Sequence, residues 1–272
     1  MNDRRDPTYA WIWLLTDYGR RDGFVASCHG VIARIAPSVR VEDITHDVPP
    51  RDVRHGAAVL AQTVPYLPRS VVVGVVDPGV GTSRRAIALA AGEIILVGPD
   101  NGLLPWAADA VGGISAAVEL DEPAFLLNVS ARTFAGRDVF APAAAHLASG
   151  VPLAALGPAL VVDDLVRLPN PLIESQEGVL DTEVLSVDQF GNVQLAPTMA
   201  DLNAVRLDSG AVQIGVLDRR FSSTVGTTFA DVQLGELVLY IDSAGHVALA
   251  VNGGDAASTL DVRPGDQVTI TR

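Results

Sequence analysis

The stretch 70-SVVVGVVDPGVGTSRR-85 ends a Val-rich run on an aspartate and a Pro-Gly turn. Ser70 to Val76 is the length and composition of a buried β-strand, and Asp77 follows it directly. Working outward, an Asp52 cap introduces a helical pattern from Val53 to Tyr66, and before it Val39 to Ile44 reads as a strand. Further upstream, Phe24 to Ile35 has helical spacing stopped by Pro37, and Trp11 to Leu15 is another apolar run. Strands alternating with helices predict βαβ units around a mostly parallel sheet. Downstream, Ala86 to Ala91 and Glu93 to Val97 predict a tight hairpin or a bulged edge, and a helix from Val139 to Ser149 closes the region at Gly150.

From Gly157 to Pro171 the chain is rich in Pro, Asp and hydrophobic residues without a period, as a linker is. Beyond Gly178 no helix is convincing. Val179 to Val187, Ala211 to Leu217, Glu236 to Ile241 and Val247 to Val251 are short alternating segments, and Asp242 to Gly245 reads as a hairpin loop. The expected fold is therefore α/β: an N-terminal mostly parallel sheet with flanking helices, then a small C-terminal antiparallel β-barrel. The expected division is residues 8–160, a linker at 161–177, and 178–272.

Composition narrows the function. The 272 residues carry 19 basic and 32 acidic side chains, net −13, which argues against a nucleic-acid or anionic membrane surface. One cysteine, Cys28, excludes an intramolecular disulfide framework, and five scattered histidines form no zinc spacing. The expected compartment is the cytoplasm. The apolar run after Arg4 and Arg5 is only about seven residues long and leads to an acidic turn, so it reads as a first strand and not a signal peptide.

In an open α/β sheet, ligands bind beyond the carboxyl ends of the strands. Those ends here carry Asp17, Asp47, Asp77 and Asp100. The glycine-rich turns at 19–23 and 79–84 match neither a dinucleotide fingerprint nor a P-loop, and aspartates suit ribose hydroxyls, ammonium or sulfonium. Strand-end aspartates also serve as caps and turn formers, the plainer reading for Asp47 and Asp22. Arg84, after a Pro-Gly-Val-Gly turn, is placed to fold back over Asp77, whereas Arg85 reads as a solvated start to the next strand. Arg137 and Asp138 read as a first-turn pair. His29 and His146 read as packed or capping residues, with His46 open. Asp188-Gln-Phe190-Gly-Asn192 is either a β-turn or a carboxylate, ring and amide gathered on one planar ligand.

Taken in order, LLTDYG, ITHDVPPRDVRHGA, VVVGVVDPGVGTSRR, GPDNGLL, TFAGRDVFAPAAAHLA, DQFGNVQ and AVNGGDAA span nearly the whole chain and resemble the S-adenosyl-L-methionine (SAM) hydrolases that form adenosine. These SAM hydroxide adenosyltransferases are related to the SAM-dependent fluorinase and chlorinase. The resemblance implies an α/β domain followed by a barrel, and a homotrimer whose sites lie between neighbouring subunits. It implies SAM as substrate, adenosine and methionine as products, and no metal or other cofactor. By position it assigns Asp17 to the ribose hydroxyls, and Thr133, Phe134 and Gly136 to the ribose and sulfonium region. Asp188, Phe190, Asn192 and Ser243 go to the methionine end, and Val251 and Asn252 to the adenine edge. Asp77 and Arg84 match two of three residues that hold the attacking water.

The third position, a histidine in Thr-Phe-His-Gly, is Ala135 here. The halogenating relatives carry Tyr there and lack DPGVGTSRR. An introduced His-to-Ala change, a naturally weakened hydrolase and a protein that only binds SAM or adenosine fit these residues alike. Two more activities fit the same rim: a weak chlorinase, with chloride entering the space an imidazole would fill, and a metal hydrolase built on the four strand-end aspartates. Arg51 departs as well, standing where relatives place an aromatic.

Overall fold

The computed structural model describes residues 8–128 and 133–272, so Arg4 and Arg5 lie outside it. Contacts divide the chain into Met1–Leu168 and Pro169–Arg272.

The first unit is a six-stranded sheet in the order β2-β1-β3-β5-β4-β6, made of β1 (Trp11–Thr16), β2 (Arg40–Thr45), β3 (Ser70–Val75), β4 (Ala86–Ala91), β5 (Ile94–Pro99) and β6 (Ile114–Glu119). β1 runs parallel to both β2 and β3, and β3 parallel to β5, whereas β4 is antiparallel to β5 and β6. The expected mostly parallel sheet and the β4–β5 hairpin are both present. β3 is buried along its whole length. Its side chains alternate between faces, so Val71, Val73 and Val75 enter one core and Val72 the other.

The first core also holds Cys28 and Ile32 of α1 (Phe24–Ile35), and Leu147 of the later helix α4 (Ala141–Ala148). The second holds Leu60 of α2 (Val53–Thr63) and Ala107 of α3 (Pro105–Ala110). Asp52 caps α2 as expected, its side chain accepting from the His55 amide. The helix expected from Val139 begins differently. Residues Gly136–Phe140 form a π-helical turn that leads into α4, a local widening that recurs at functional sites.

The second unit is a closed barrel of β8 (Val179–Val187), β9 (Val193–Thr198), β10 (Ala211–Val216), β11 (Arg219–Val225), β12 (Leu237–Ile241), β13 (His246–Val251) and β14 (Gln267–Thr271), with β7 (Ile173–Gln176) added on β8. Pairing of β14 with β8 closes the ring. Its pairings are antiparallel except for a short parallel contact between β11 and β12. The expectation of no helix beyond Gly178 is corrected by α5 (Met199–Ala204) and α6 (Ala256–Leu260). Both are too short to show a period. Their caps are nonetheless written in the chain: Thr198 and Asp201 form a capping box, and the Asp255 side chain accepts from the Ser258 amide.

Candidate active site

The crossover from β1 through α1 to β2 packs on one face of the sheet, and the return through α2 to β3 on the other. The chain therefore diverges between β1 and β3, and a crevice opens at their carboxyl ends. It is a cleft of about 270 Å³ lined by Asp17, Tyr18, Phe24, Asp77, Val80, Thr133, Phe134 and Ala135. Residues from three distant segments, all marked in the sequence, meet there: Asp17, Asp77 and the Thr133–Ala135 turn. Tyr18, Phe24 and Val80 were not anticipated as lining residues, although each lies within a few positions of a glycine-rich turn or a strand-end aspartate. A larger groove of about 920 Å³ on the barrel, lined by Arg219, Arg220 and Arg263 among others, contains none of the candidate residues.

Asp17 takes up the end of β1. Its Oδ2 accepts from the Arg51 amide at 2.8 Å, and Arg51 reaches that position with φ of 68°, in the left-handed region. Arg51 thus meets the cleft through its main chain, while its residue is exposed.

The turn after β3 is held by the Thr82 hydroxyl, which donates to the Gly79 carbonyl at 2.7 Å. That closure returns Arg84 to Asp77 as the spacing implied. Arg84 Nε donates to both Asp77 oxygens at 3.0 Å, and Nη2 reaches Oδ2 at 2.5 Å. Only 5% of the Asp77 side chain and 16% of the Arg84 side chain are exposed. Arg84 also lies 5.2 Å over the Phe140 ring. A guanidinium fork pinned by a buried carboxylate and an aromatic face is a fixed positive charge with little freedom to swing away.

Across the cleft, Tyr18, Phe24 and Phe134 pack together in tilted and edge-to-face pairs, with centroid separations of 5.0 to 5.8 Å. Burial, with the thiol of Cys28 and the carboxylates of Asp17 and Asp77 adding to it, pushes the Tyr18 phenol well above its ordinary value. It remains a neutral hydroxyl at any working pH, and its oxygen meets the Gly136 amide. A Cβ at residue 136 would collide with that oxygen, so only glycine permits the approach. Ala135, beside it, has φ −59° and ψ −29°. Arg137 and Asp138 form the expected pair, Nε to Oδ1 at 2.6 Å and Nη2 to Oδ2 at 2.9 Å, with Arg137 over the Phe134 ring at 4.9 Å.

The remaining strand-end residues diverge. Asp47 is exposed and lies 3.9 Å from Arg20. Asp100 is a structural anchor, accepting from Arg85 Nε at 2.8 Å and from the Val166 amide at 2.9 Å. Arg85 is therefore not the solvated residue expected. Asp17, Asp47, Asp77 and Asp100 do not gather as a metal hydrolase needs. Among the described residues the group of His, Cys, Asp and Glu with ligand atoms within 4.8 Å of one another is His29, Asp43 and His46. His146 packs edge-on against Phe125 at 5.1 Å.

In the barrel, Asp188 closes its own turn. Its Oδ1 accepts from the amides of Phe190 and Asn192, both at 2.9 Å, and Oδ2 from Asn192 Nδ2 at 2.8 Å. Gly191, at φ 80°, packs its α-carbon against the Asp255 carboxylate, where a side chain would collide. Phe190 is 68% exposed. Ser243 lies in the β12–β13 turn, which Asp242 ties by accepting from the Ala244 and His246 amides. Burial pushes the nearby Tyr240 phenol up to about 12, with Asp242 and Asp188 adding to the shift. Val251 packs in the barrel core, which leaves its main chain for any ligand, and Asn252 Nδ2 donates to the Val232 carbonyl at 2.9 Å.

Family models for the N-terminal and C-terminal domains of SAM hydroxide adenosyltransferase match residues 12–157 and 182–269. A protein of Salinispora arenicola named (R)-S-adenosyl-L-methionine hydrolase is 58% identical, over 96% of this chain and 97% of its own. A fluorinase of an Actinoplanes species is 30% identical, over 96% of this chain and 97% of its own. Among solved structures, an uncharacterized conserved protein of Thermotoga maritima superposes with a TM-score of 0.88 at 37% identity, covering 96% of this chain and all of that one.

Proposed function

The chain belongs to the SAM hydroxide adenosyltransferase family, and from that premise we propose that it hydrolyses SAM to adenosine and L-methionine. The observation that carries the reading is the buried Asp77–Arg84 fork, set at the cleft that Asp17 also lines. An oxygen of water forms a bond to ribose C5′ while the C5′–S bond breaks, and its electron pair returns to sulfur as a neutral thioether. One water proton is lost to solvent. The sulfonium departs without a general acid, so the protein needs only to aim the water and exclude competitors. Arg84 favours hydroxide character in that water, and Asp77 fixes Arg84 and the water together.

Asp17, with four lone-pair sites on its carboxylate, can accept from the Arg51 amide and both ribose hydroxyls. Thr133, Phe134 and Gly136 border the ribose and sulfonium, with Tyr18 and Phe24 extending the aromatic wall. Aromatic faces suit a cationic sulfonium. The same reading gives Asp188, Phe190, Asn192 and Ser243 to the methionine end and the Val251–Asn252 main chain to adenine. They would be brought to the cleft by a neighbouring subunit of a homotrimer. It also places the protein in the cytoplasm, where the lone thiol Cys28 stays reduced. No helix among the described residues is long and apolar enough to cross a membrane. Ala135 supplies no imidazole to the nucleophile, so turnover is expected to be slow while SAM binding persists.

Incubating the protein with SAM in chloride buffer and identifying every nucleoside released tests the assignment. Adenosine with equimolar methionine supports it. A chlorinated nucleoside would make the chain a halogenase, and stoichiometric SAM binding without products would make it a binding protein.

A further inference from the structure

The His29, Asp43 and His46 side chains converge beside Thr16, apart from the residues that line the cleft, and the proposed hydrolysis leaves them without a task. Asp43, on β2, places Oδ1 at 2.8 Å from His29 Nε2 on α1 and 3.0 Å from His46 Nε2. The His46 side chain is 1% exposed. Its Nε2, though close to Asp43, lies off the hydrogen-bonding line and has no hydrogen-bond partner among the described residues. The nitrogen is a buried polar atom without a well-aligned partner, aimed into the cluster.

The other ring nitrogen of His46 is held by Thr16. Nδ1 lies 2.8 Å from Thr16 Oγ1, and the same oxygen accepts from the Tyr18 amide at 3.1 Å. With the Thr16 hydroxyl donating to Nδ1, Nε2 carries the proton towards Asp43; with the proton on Nδ1 instead, Nε2 has a lone pair with which to ligate a metal ion beside the Asp43 carboxylate. A metal-bound histidine has its second ring nitrogen fixed by a hydrogen bond, and the Thr16 oxygen can accept one from Nδ1.

We propose that His29, Asp43 and His46 form a binding site for one divalent transition metal ion, of which zinc is the working probe. Two imidazole nitrogens and a carboxylate oxygen are the donor set such ions prefer, leaving one position to water. Zn–N of roughly 2.0–2.1 Å and tetrahedral angles put neighbouring ligand atoms roughly 3.3–3.4 Å apart, so the cluster must open by a few tenths of an ångström. His29 can supply that movement, being on the outer side of α1 with 34% of its side chain exposed. The ion would join α1, β2 and, through Thr16, the strand that carries Asp17. The site lies outside the SAM cleft, so its existence does not depend on the reaction assigned above.

The test is a zinc titration of the untagged full-length chain after chelator treatment, followed by calorimetry, with cobalt(II) absorption as a spectroscopic check. One ion per chain is expected, with ligand-field bands from cobalt. His29→Ala, at a partly exposed helical position, should weaken zinc binding by about tenfold or more without unfolding the protein. Asp43→Asn should do the same and provides a second route if either variant folds poorly. Absence of stoichiometric zinc binding by the parent chain, or equal affinity in a folded His29→Ala variant, would overturn the proposal.

Discussion

Ala135→His is the substitution on which the proposed chemistry can be measured most directly. Residue 135 already has right-handed helical dihedrals, φ −59° and ψ −29°, so the larger side chain introduces no backbone strain. It borders the same cleft of about 270 Å³ as Asp77, so an imidazole there has somewhere to go. A positioned acid or base is worth about 100 to 10,000-fold, or about 2.7 to 5.5 kcal/mol at 1.36 kcal/mol per tenfold. The lower end is expected. In the proposed mechanism Arg84 and Asp77 already hold the water and the sulfonium leaves unaided, so the imidazole would act only on the nucleophile. In an assay of initial adenosine release, kcat should rise about 100-fold with KM little changed. Ala135→Gln, which fills the space and donates a hydrogen bond but cannot take a proton, should recover less than His. Equal kcat in the parent and the His variant, or a change confined to KM, would show that residue 135 is not a corner of the water site.

Three further outcomes follow from the geometry. Asp77→Asn in the Ala135→His background leaves Arg84 mostly buried without its counter-charge; it should lower kcat by about 100-fold or more and stability by about 3 kcal/mol, read by adenosine release and urea unfolding. Gly136→Ala forces a Cβ onto the Tyr18 oxygen and should cost about 1 to 3 kcal/mol; adding Tyr18→Phe should recover part of it, and strict additivity in that double-mutant cycle would show that the two do not touch. Cys28, pushed by burial to about 12, keeps its proton in the folded state when the unfolded chain has lost it, so stability should fall from pH 9 towards 12 by up to about 1.4 kcal/mol per pH unit. Tyr18 adds to the same trend, so Cys28→Ala isolates the thiol: its denaturation midpoint should decline less steeply above pH 9.

How much of this is legible in the sequence depends on how far each contact reaches along the chain. The Asp77–Arg84 fork closes over seven residues and a glycine-rich turn, so it can be read directly. The Arg85–Asp100 pair is hidden from Arg85's own place at a strand start and follows only from the hairpin beyond it. Ala86 pairs with Pro99 across the expected β4–β5 hairpin, which puts Arg85 and Asp100 side by side at its open end. The Tyr18–Gly136 approach joins segments that only the completed sheet brings together, and no local pattern marks it. In the barrel, β11 is invisible because Arg219-Arg-Phe-Ser-Ser-Thr-Val225 buries only Ser223 fully. β9 is obscured by Gln194, buried among apolar neighbours, and by Pro197, and β14 acquires its meaning only when it closes the ring on β8.

That division bears on the alanine. The container is built from long-range contacts: the Arg51 amide on Asp17, the Tyr18 oxygen on the Gly136 amide, and the edge-packed Tyr18, Phe24 and Phe134 rings. None of them uses the side chain of residue 135. The charge proposed to aim the nucleophile is built locally, by Asp77 and Arg84, and does not use it either. On the proposed mechanism, a methyl group at 135 removes one partner of the attacking water while leaving the walls and the fixed charge standing. Loss of turnover should exceed loss of binding, and a chain that binds SAM weakly as well would place the defect in the container instead.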